Sequence, residues 1–275
     1  MTNNLTTFRD RPIDRLGWAL ADTWTITLRD LQHWRNRPGV IVFGWLFPVL
    51  MMGMFIGLLG GAIGAATGES YVNFVMPGIF AMAMFFGLES TMAAVSSDAS
   101  KGVTDRFRSL PMSASAVVAG RCTADMMNSV VSLVVVVAAG LIFGWRTDAA
   151  ASSIAAVFAL LLLLRFAMLW VGVFIGLKAK SQEAVTAIQV VVWPILFLST
   201  VFIDTSTMPR WLGIIAEANP LSATVTASRE LLGNPSLAGQ SWFTDHAILL
   251  AILCPVLLVA IFLPLSARAY RRLRR

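Results

Sequence analysis

Six continuous apolar runs dominate the chain, at about 39–60, 72–95, 126–145, 153–177, 184–203 and 246–265. Each has close to the roughly 20 residues that a helix needs to cross about 30 Å of hydrocarbon. None alternates apolar and polar positions, so the pattern predicts helices and excludes barrel strands. Between residues 13 and 34 the pattern changes. Ile13, Leu16, Leu20, Trp24, Leu28, Leu31 and Trp34 recur at three- and four-residue steps, with Asp14, Arg15, Asp22 and Arg29 off that arc. That is the pattern of an amphipathic helix lying in the headgroup layer, or against a partner protein. After the second run, Val103, Phe107 and Leu110 mark one face of a short helix that Pro111 ends. The fold expected is an all-α membrane protein forming a single transmembrane domain over 1–275. It comprises a cytoplasmic segment with its interfacial helix (1–38), a six-span bundle (39–268) and a basic cytoplasmic tail (269–275).

Composition agrees with the runs. The chain is 57% hydrophobic and 13% charged, and its mean hydropathy of +0.75 leaves too little polar surface to cover a soluble core. A soluble enzyme, a disordered chain and a disulfide scaffold are excluded. Cys122 and Cys254 read as buried thiols without ligand spacing. The first 38 residues are too polar and charged for a cleavable signal.

The net charge of +6 is a statement about topology. Arg9, Arg11, Arg15, Arg29, Arg35 and Arg37 precede the first run, and Lys101, Arg106, Arg108 and Arg121 follow the second. Lys178 and Lys180 follow the fourth, and Arg268, Arg271, Arg272, Arg274 and Arg275 follow the sixth. Only Arg146, Arg210 and Arg229 fall on the other side. By the positive-inside rule both termini are cytoplasmic in a multi-pass plasma-membrane protein. Anionic lipid, not nucleic acid, is the partner this charge predicts.

The segment from Gly102 to Ser113, GVTDRFRSLPMS, resembles the coupling-helix segment of type-2 ABC exporter permeases, through Gly102, Arg106, Pro111 and Ser113. Val103, Thr104, Asp105 and Phe107 depart from the family pattern. A second stretch is similar to the family's segment before the last span: Met208-Pro209-Arg210-Trp211-Leu212, then Asn219-Pro220-Leu221, then Arg229-Glu230-Leu231-Leu232. The order of elements agrees over nearly the whole chain, and within the family the drug-efflux, daunorubicin-resistance-like branch is the one resembled. The resemblance implies a second permease subunit, as homodimer or heterodimer, and two separate ATPase subunits that hold ATP and magnesium. It implies that Lys101, Gly102, Asp105, Arg106, Phe107, Arg108, Leu110 and Pro111 couple to those subunits, and that Trp211, Asn219, Pro220 and Arg229 belong to an external gate region. The chain itself supports an outside motor. A phosphate-cradling loop ends in Gly-Lys-Ser/Thr, and none of its three lysines follows a glycine.

Ionisable groups inside a membrane are expensive and mark function. Glu89 and Arg165 lie well within spans, at depths that differ by roughly 9 Å, and Asp125 stands at the inner end of the third run. An unpaired Arg at that depth costs roughly 2.5–3.5 kcal/mol, so Arg165 is expected to have a partner: Glu89, facing the bundle interior with it, or else Asp125, which stands nearer the cytoplasm. Gly53 with Gly57 and Gly60 with Gly64 offer close helix approach, and Pro48, Pro194, Pro255 and Pro264 are expected to kink three spans.

Three function classes compete. An enzyme needs an acid–base constellation, and this chain has two histidines and neither H-E-x-x-H nor G-x-S-x-G; no catalytic or metal-binding residue is expected. An ion-coupled carrier or channel would show repeated intramembrane acids or repeated halves. The permease of an ATP-driven exporter fits best, moving an amphipathic drug or lipid-like compound, with a lipid-linked glycan or other envelope precursor as the alternative cargo.

Overall fold

A computed structural model describes residues 12–36, 38–67, 71–100, 114–179, 181–202, 205, 208–234 and 241–272. The described residues form ten helices and no strand: α1 (Pro12–Asn36), α2 (Pro38–Thr67), α3 (Tyr71–Ser100), α4 (Ala114–Ile142), α5 (Ala151–Lys178), α6 (Gln182–Phe197), α7 (Arg210–Glu217), α8 (Pro220–Leu231), α9 (Trp242–Asp245) and α10 (Ala247–Arg272). Five of them, α2, α3, α4, α5 and α10, are long and apolar enough to cross a membrane. The fifth apolar run gives only the 16-residue α6, roughly 24 Å long at 1.5 Å per residue. Beyond it the chain turns, and Ser199, Thr200, Val201 and Phe202 are buried instead of extending the helix.

The bundle is built around α3. Its pairing with α5 is the most extensive in the molecule, and α2, α4, α6 and α8 also pack on it. Two glycines decide how close α5 comes. A Cβ at Gly172 would stand 2.8 Å from the Leu88 carbonyl oxygen, and one at Gly176 would stand 2.7 Å from that of Met92. The pair is spaced i, i+4, the small-residue arrangement that lets helix backbones touch in lipid, where packing and not hydrophobicity drives association. The described α2 glycines that the sequence offered for close approach make none within this chain. Gly57 faces open space, while Gly53 and Gly60 meet only ordinary van der Waals neighbours.

The helix of the third run begins twelve residues before the apolar run that predicts it, at Ala114, and its stretch long and apolar enough to cross a membrane begins at Val118. Residues 114–125 carry Arg121, Thr123 and Asp125 among small side chains, so hydropathy misses them. Helix α1 packs on α4 through Ile26 and Thr27, which are buried, and Thr27 Oγ1 donates to the Gly120 carbonyl at 3.0 Å. The predicted apolar arc of α1 is a different face, and Leu20, Trp24 and Leu28 remain exposed on it. Ile26, Arg29 and Asp30 of α1 surround one cavity with Asp98 of α3, Arg121 of α4, Leu177 of α5 and Tyr270 of α10. The described parts of both terminal helices therefore meet at one end of the bundle. Cys122 and Cys254 are free and only partly buried, short of the full burial expected. The helices run through Pro48, Pro77, Pro194, Pro255 and Pro264.

Candidate functional site: a lateral cleft, a buried arginine and an external latch

A cleft of about 450 Å³ opens between α2, α3, α4 and α6. Its apolar wall is a cluster of three rings. Phe47 meets Phe86 edge-on at 5.4 Å and Trp193 edge-on at 5.7 Å, and Phe86 lies 5.1 Å from Trp193. Such tilted and edge-to-face contacts are the favoured geometry for aromatic quadrupoles and hold a wall rigid. Its polar groups are few: Glu89, Asn128 and Gln189 with three serines. Asn128 Oδ1 accepts from Trp45 Nε1 at 2.8 Å. Glu89 Oε1 is buried and has no hydrogen-bond donor among the described residues. A mostly apolar hollow with a few convergent polar groups is the ordinary form of a small-molecule site.

Arg165 stands behind this wall, 1% exposed. The sequence offered Glu89 or Asp125 as its partner, and the structure brings it to Asp125. Arg165 Nη2 is 3.9 Å from Asp125 Oδ2 and donates to Thr91 Oγ1 at 3.0 Å, while Nε donates to Ser129 Oγ at 2.6 Å. Thr91 Oγ1 in turn donates to Asp125 Oδ2 at 2.8 Å. Gly87 makes room for the guanidinium, since a Cβ there would overlap it. Helical rotation explains the choice of partner. Gly87 and Thr91 share the α3 face that meets α5, so Glu89 lies about 200° round the helix and faces the cleft. Asp125 is no longer at a span's edge, because α4 starts so early.

Three of the four residues expected at a gate, Asn219, Pro220 and Arg229, lie with Asn234 in a hydrogen-bonded latch. Pro77 has no N–H, which leaves the Asn73 carbonyl without its helical partner; Asn234 Nδ2 supplies the bond at 2.9 Å. Arg229, 1% exposed, donates from Nε to the Phe74 carbonyl at 3.0 Å and from Nη2 to the Val201 carbonyl at 3.1 Å, with its guanidinium 3.8 Å from the centre of the Phe74 ring. Asn219 Nδ2 donates to the carbonyls of Ile195 and Leu198 at the end of α6, and its Oδ1 caps α8 by accepting from Leu221 N. Pro220 occupies the first turn of α8, where a missing N–H does no harm. Trp211 is apart from the latch, on α7 and 65% exposed. The residues expected to couple to ATPase subunits, Lys101, Gly102, Asp105, Arg106, Phe107, Arg108, Leu110 and Pro111, lie outside the described residues. Among the described residues no group of three or more His, Cys, Asp or Glu side chains is placed to hold a metal.

The sequence profile of the ABC-2 type transporter family matches residues 21–232. The chain belongs to the ABC-2 type transporter family. Among its relatives, a daunorubicin resistance ABC transporter permease protein of Streptomyces coeruleorubidus is 34% identical over 92% of this chain and 87% of its own length. A ycf38 transport permease of Porphyra purpurea is 30% identical over 79% of this chain and 74% of its own. That of Pyropia yezoensis is 31% identical over 75% and 72%. As an ABC-2 type transporter this chain is a membrane permease. The cleft's aromatic residues and the Thr91–Ser129 pair were not singled out from the sequence. Helical spacing held the signal, since 121, 125 and 129 on α4 and 87, 91 and 98 on α3 each share a face.

Proposed function

We propose that the chain is the six-span permease subunit of an ATP-driven exporter that carries an amphipathic, drug- or lipid-like compound out of the cell. A second permease and two ATPase subunits complete the transporter, and those subunits bind the ATP and magnesium. In this reading α6 serves as the short fifth span, and the basic end of the bundle, where α1 and α10 meet, is cytoplasmic. The cleft carries the proposal. Rings at Phe47, Phe86 and Trp193 take the greasy body of a compound, and Glu89, Asn128 and Gln189 take its polar part. Its walls on α2 and α6 also leave Phe43, Leu50, Val190 and Val191 exposed, a surface for lipid or for the second permease. The daunorubicin resistance named in the Streptomyces relative supports a drug-like cargo.

Two measurements test this. Co-purification of the ATPase subunit from detergent-solubilised membranes is expected with the wild type and is expected to fall at least tenfold with Arg106→Ala/Phe107→Ala. Recovery of equal ATPase with both would remove the coupling role of residues 101–113. In inverted vesicles, Glu89→Gln is expected to reduce ATP-dependent accumulation of daunorubicin about tenfold while the complex still assembles. Unchanged accumulation would take Glu89 out of the pathway.

A further inference from the structure

At the end of the bundle where α1 and α10 meet, a cavity of about 60 Å³ is walled by Arg29, Asp30, Asp98, Arg121 and Asp125. It has space for about two waters. Arg121 forms an ion pair with Asp98, and this pair ties the last turn of α3 to the first turns of α4, the two helices that flank residues 101–113. Arg121 also feels the charges of Asp30 on α1 and of Asp125 one turn further along α4. Arg29 lies 4.0 Å from the Asp30 carboxylate. Asp125 in turn stands beside Arg165, at mid-bundle. Three acids and three arginines therefore alternate from α1 and the loop flanks to the centre of the α3–α5 contact.

Buried ion pairs add little to stability compared with apolar side chains of similar size. Burial holds the Asp30 carboxyl above the usual carboxylate range, against the pull of Arg121 and Arg29, so its charge works against folding. The bonding in the middle of the ladder is incomplete. Arg121 Nε and Arg165 Nη1 are both buried with no acceptor among the described residues. The 3.9 Å between Arg165 and Asp125 is beyond direct hydrogen-bond distance. One carboxylate thus sits between two arginines, each with an unmet donor. Exchange of that carboxylate between the two arginines would give the element two discrete arrangements, which is what coupling between distant sites requires.

We infer that this ladder transmits movement of the cytoplasmic loop to the substrate cleft, with Asp125 exchanging Arg165 for Arg121 as partner. Displacement of the loop flanks moves Arg121 and draws Asp125 toward the loop. Arg165 then loses its counter-charge and Thr91 loses its carboxylate acceptor, which loosens the Gly87–Thr91 face of α3. Glu89, on the opposite face of the same two turns, shifts relative to the rings of the cleft. The inference rests on the reading that residues 101–113 meet the ATPase subunits.

The test uses the whole complex in proteoliposomes, with ATP hydrolysis and daunorubicin uptake measured together. Asp98→Arg and Arg121→Asp are each expected to keep hydrolysis within about twofold of wild type but to lower daunorubicin moved per ATP at least tenfold. The double variant, with the pair reversed, is expected to recover that ratio to within about threefold. Asp125→Asn, which keeps the Thr91 bond but not the charge, is expected to lower the ratio as the single variants do. Single variants with a wild-type ratio overturn the ladder. So does a double variant that regains the wild-type melting temperature but not the ratio, which covers the case where the singles misfold. Wild-type export alongside unaffected variants leaves the exporter reading standing and the ladder not. A wild type that moves no daunorubicin on ATP removes both.

Discussion

Gly176→Leu should leave no monodisperse protein in detergent, with the aggregated fraction in fluorescence size-exclusion chromatography approaching the whole. The Cβ alone would stand 2.7 Å from the Met92 carbonyl oxygen and 2.9 Å from Val95 Cβ. Neither neighbour can move aside, one being helix backbone and the other a branched side chain stiff at χ1. Relief therefore means separating α3 from α5 along their whole contact. That separation also strains the Arg165 bonds to Thr91 and Ser129. Overpacking with loss of a buried polar network puts the change among the rare substitutions above about 4 kcal/mol. A graded version uses alanine. Gly172→Ala is expected to lower the melting temperature despite the roughly 0.5–1 kcal/mol that alanine gains over glycine in a helix. Gly57→Ala, in open space, is expected to hold or raise it. Equal melting temperatures for the two would mean that α3 and α5 do not approach so closely.

Arg229→Met should unfasten the latch that holds α8 to α3. Methionine keeps much of the volume but loses both hydrogen bonds, to Phe74 and Val201, and the contact with the Phe74 ring. Hydrogen bonds from a charged donor contribute about 1.5–3 kcal/mol each, so a loss of about 3–5 kcal/mol is expected. Hydrogen exchange is the sharper readout. The amides of α8 and of residues 199–202 are expected to exchange at least 100-fold faster, with those of α5 unchanged. Arg229→Lys, which cannot span the two carbonyls with a fork, is expected to fall between. Uniform acceleration across the molecule would argue for a general packing role instead.

How far the sequence carried depended on whether a property lies along a helix or around it. Hydropathy placed the long runs because lipid imposes a length, and it identified Glu89 and Arg165 as anomalies within them. It assigned both a depth but no rotation. The wheel positions of Gly87, Glu89 and Thr91 would have turned Glu89 away from α5, had the α3–α5 contact been known. Counting apolar residues also hid the start of α4, since Arg121 and Asp125 look like loop residues until their neighbours neutralise them. The fifth run gives a shorter helix than its length suggests for the opposite reason: residues 198–202 are apolar enough to continue a span, yet the chain turns inward there and fills the space beside Gly78. The hydrogen bonds that the side chains of Asn219, Arg229 and Asn234 donate join residues 21 to 161 positions apart, and no local pattern announces them.

Pro77 has a consequence for the order in which the protein is made. The Asn73 carbonyl it leaves open is met by Asn234, which leaves the ribosome 161 residues later. The Arg229 bond to Phe74 spans nearly as far. A newly inserted α3 therefore waits in the bilayer with its first turn unfinished while α4, α5 and α6 follow it. Polar backbone groups are tolerated at membrane depth only when protein or water meets them, so during synthesis the first turn of α3 must stay near an aqueous face. The last third of the chain then completes a helix that was among the earliest to enter.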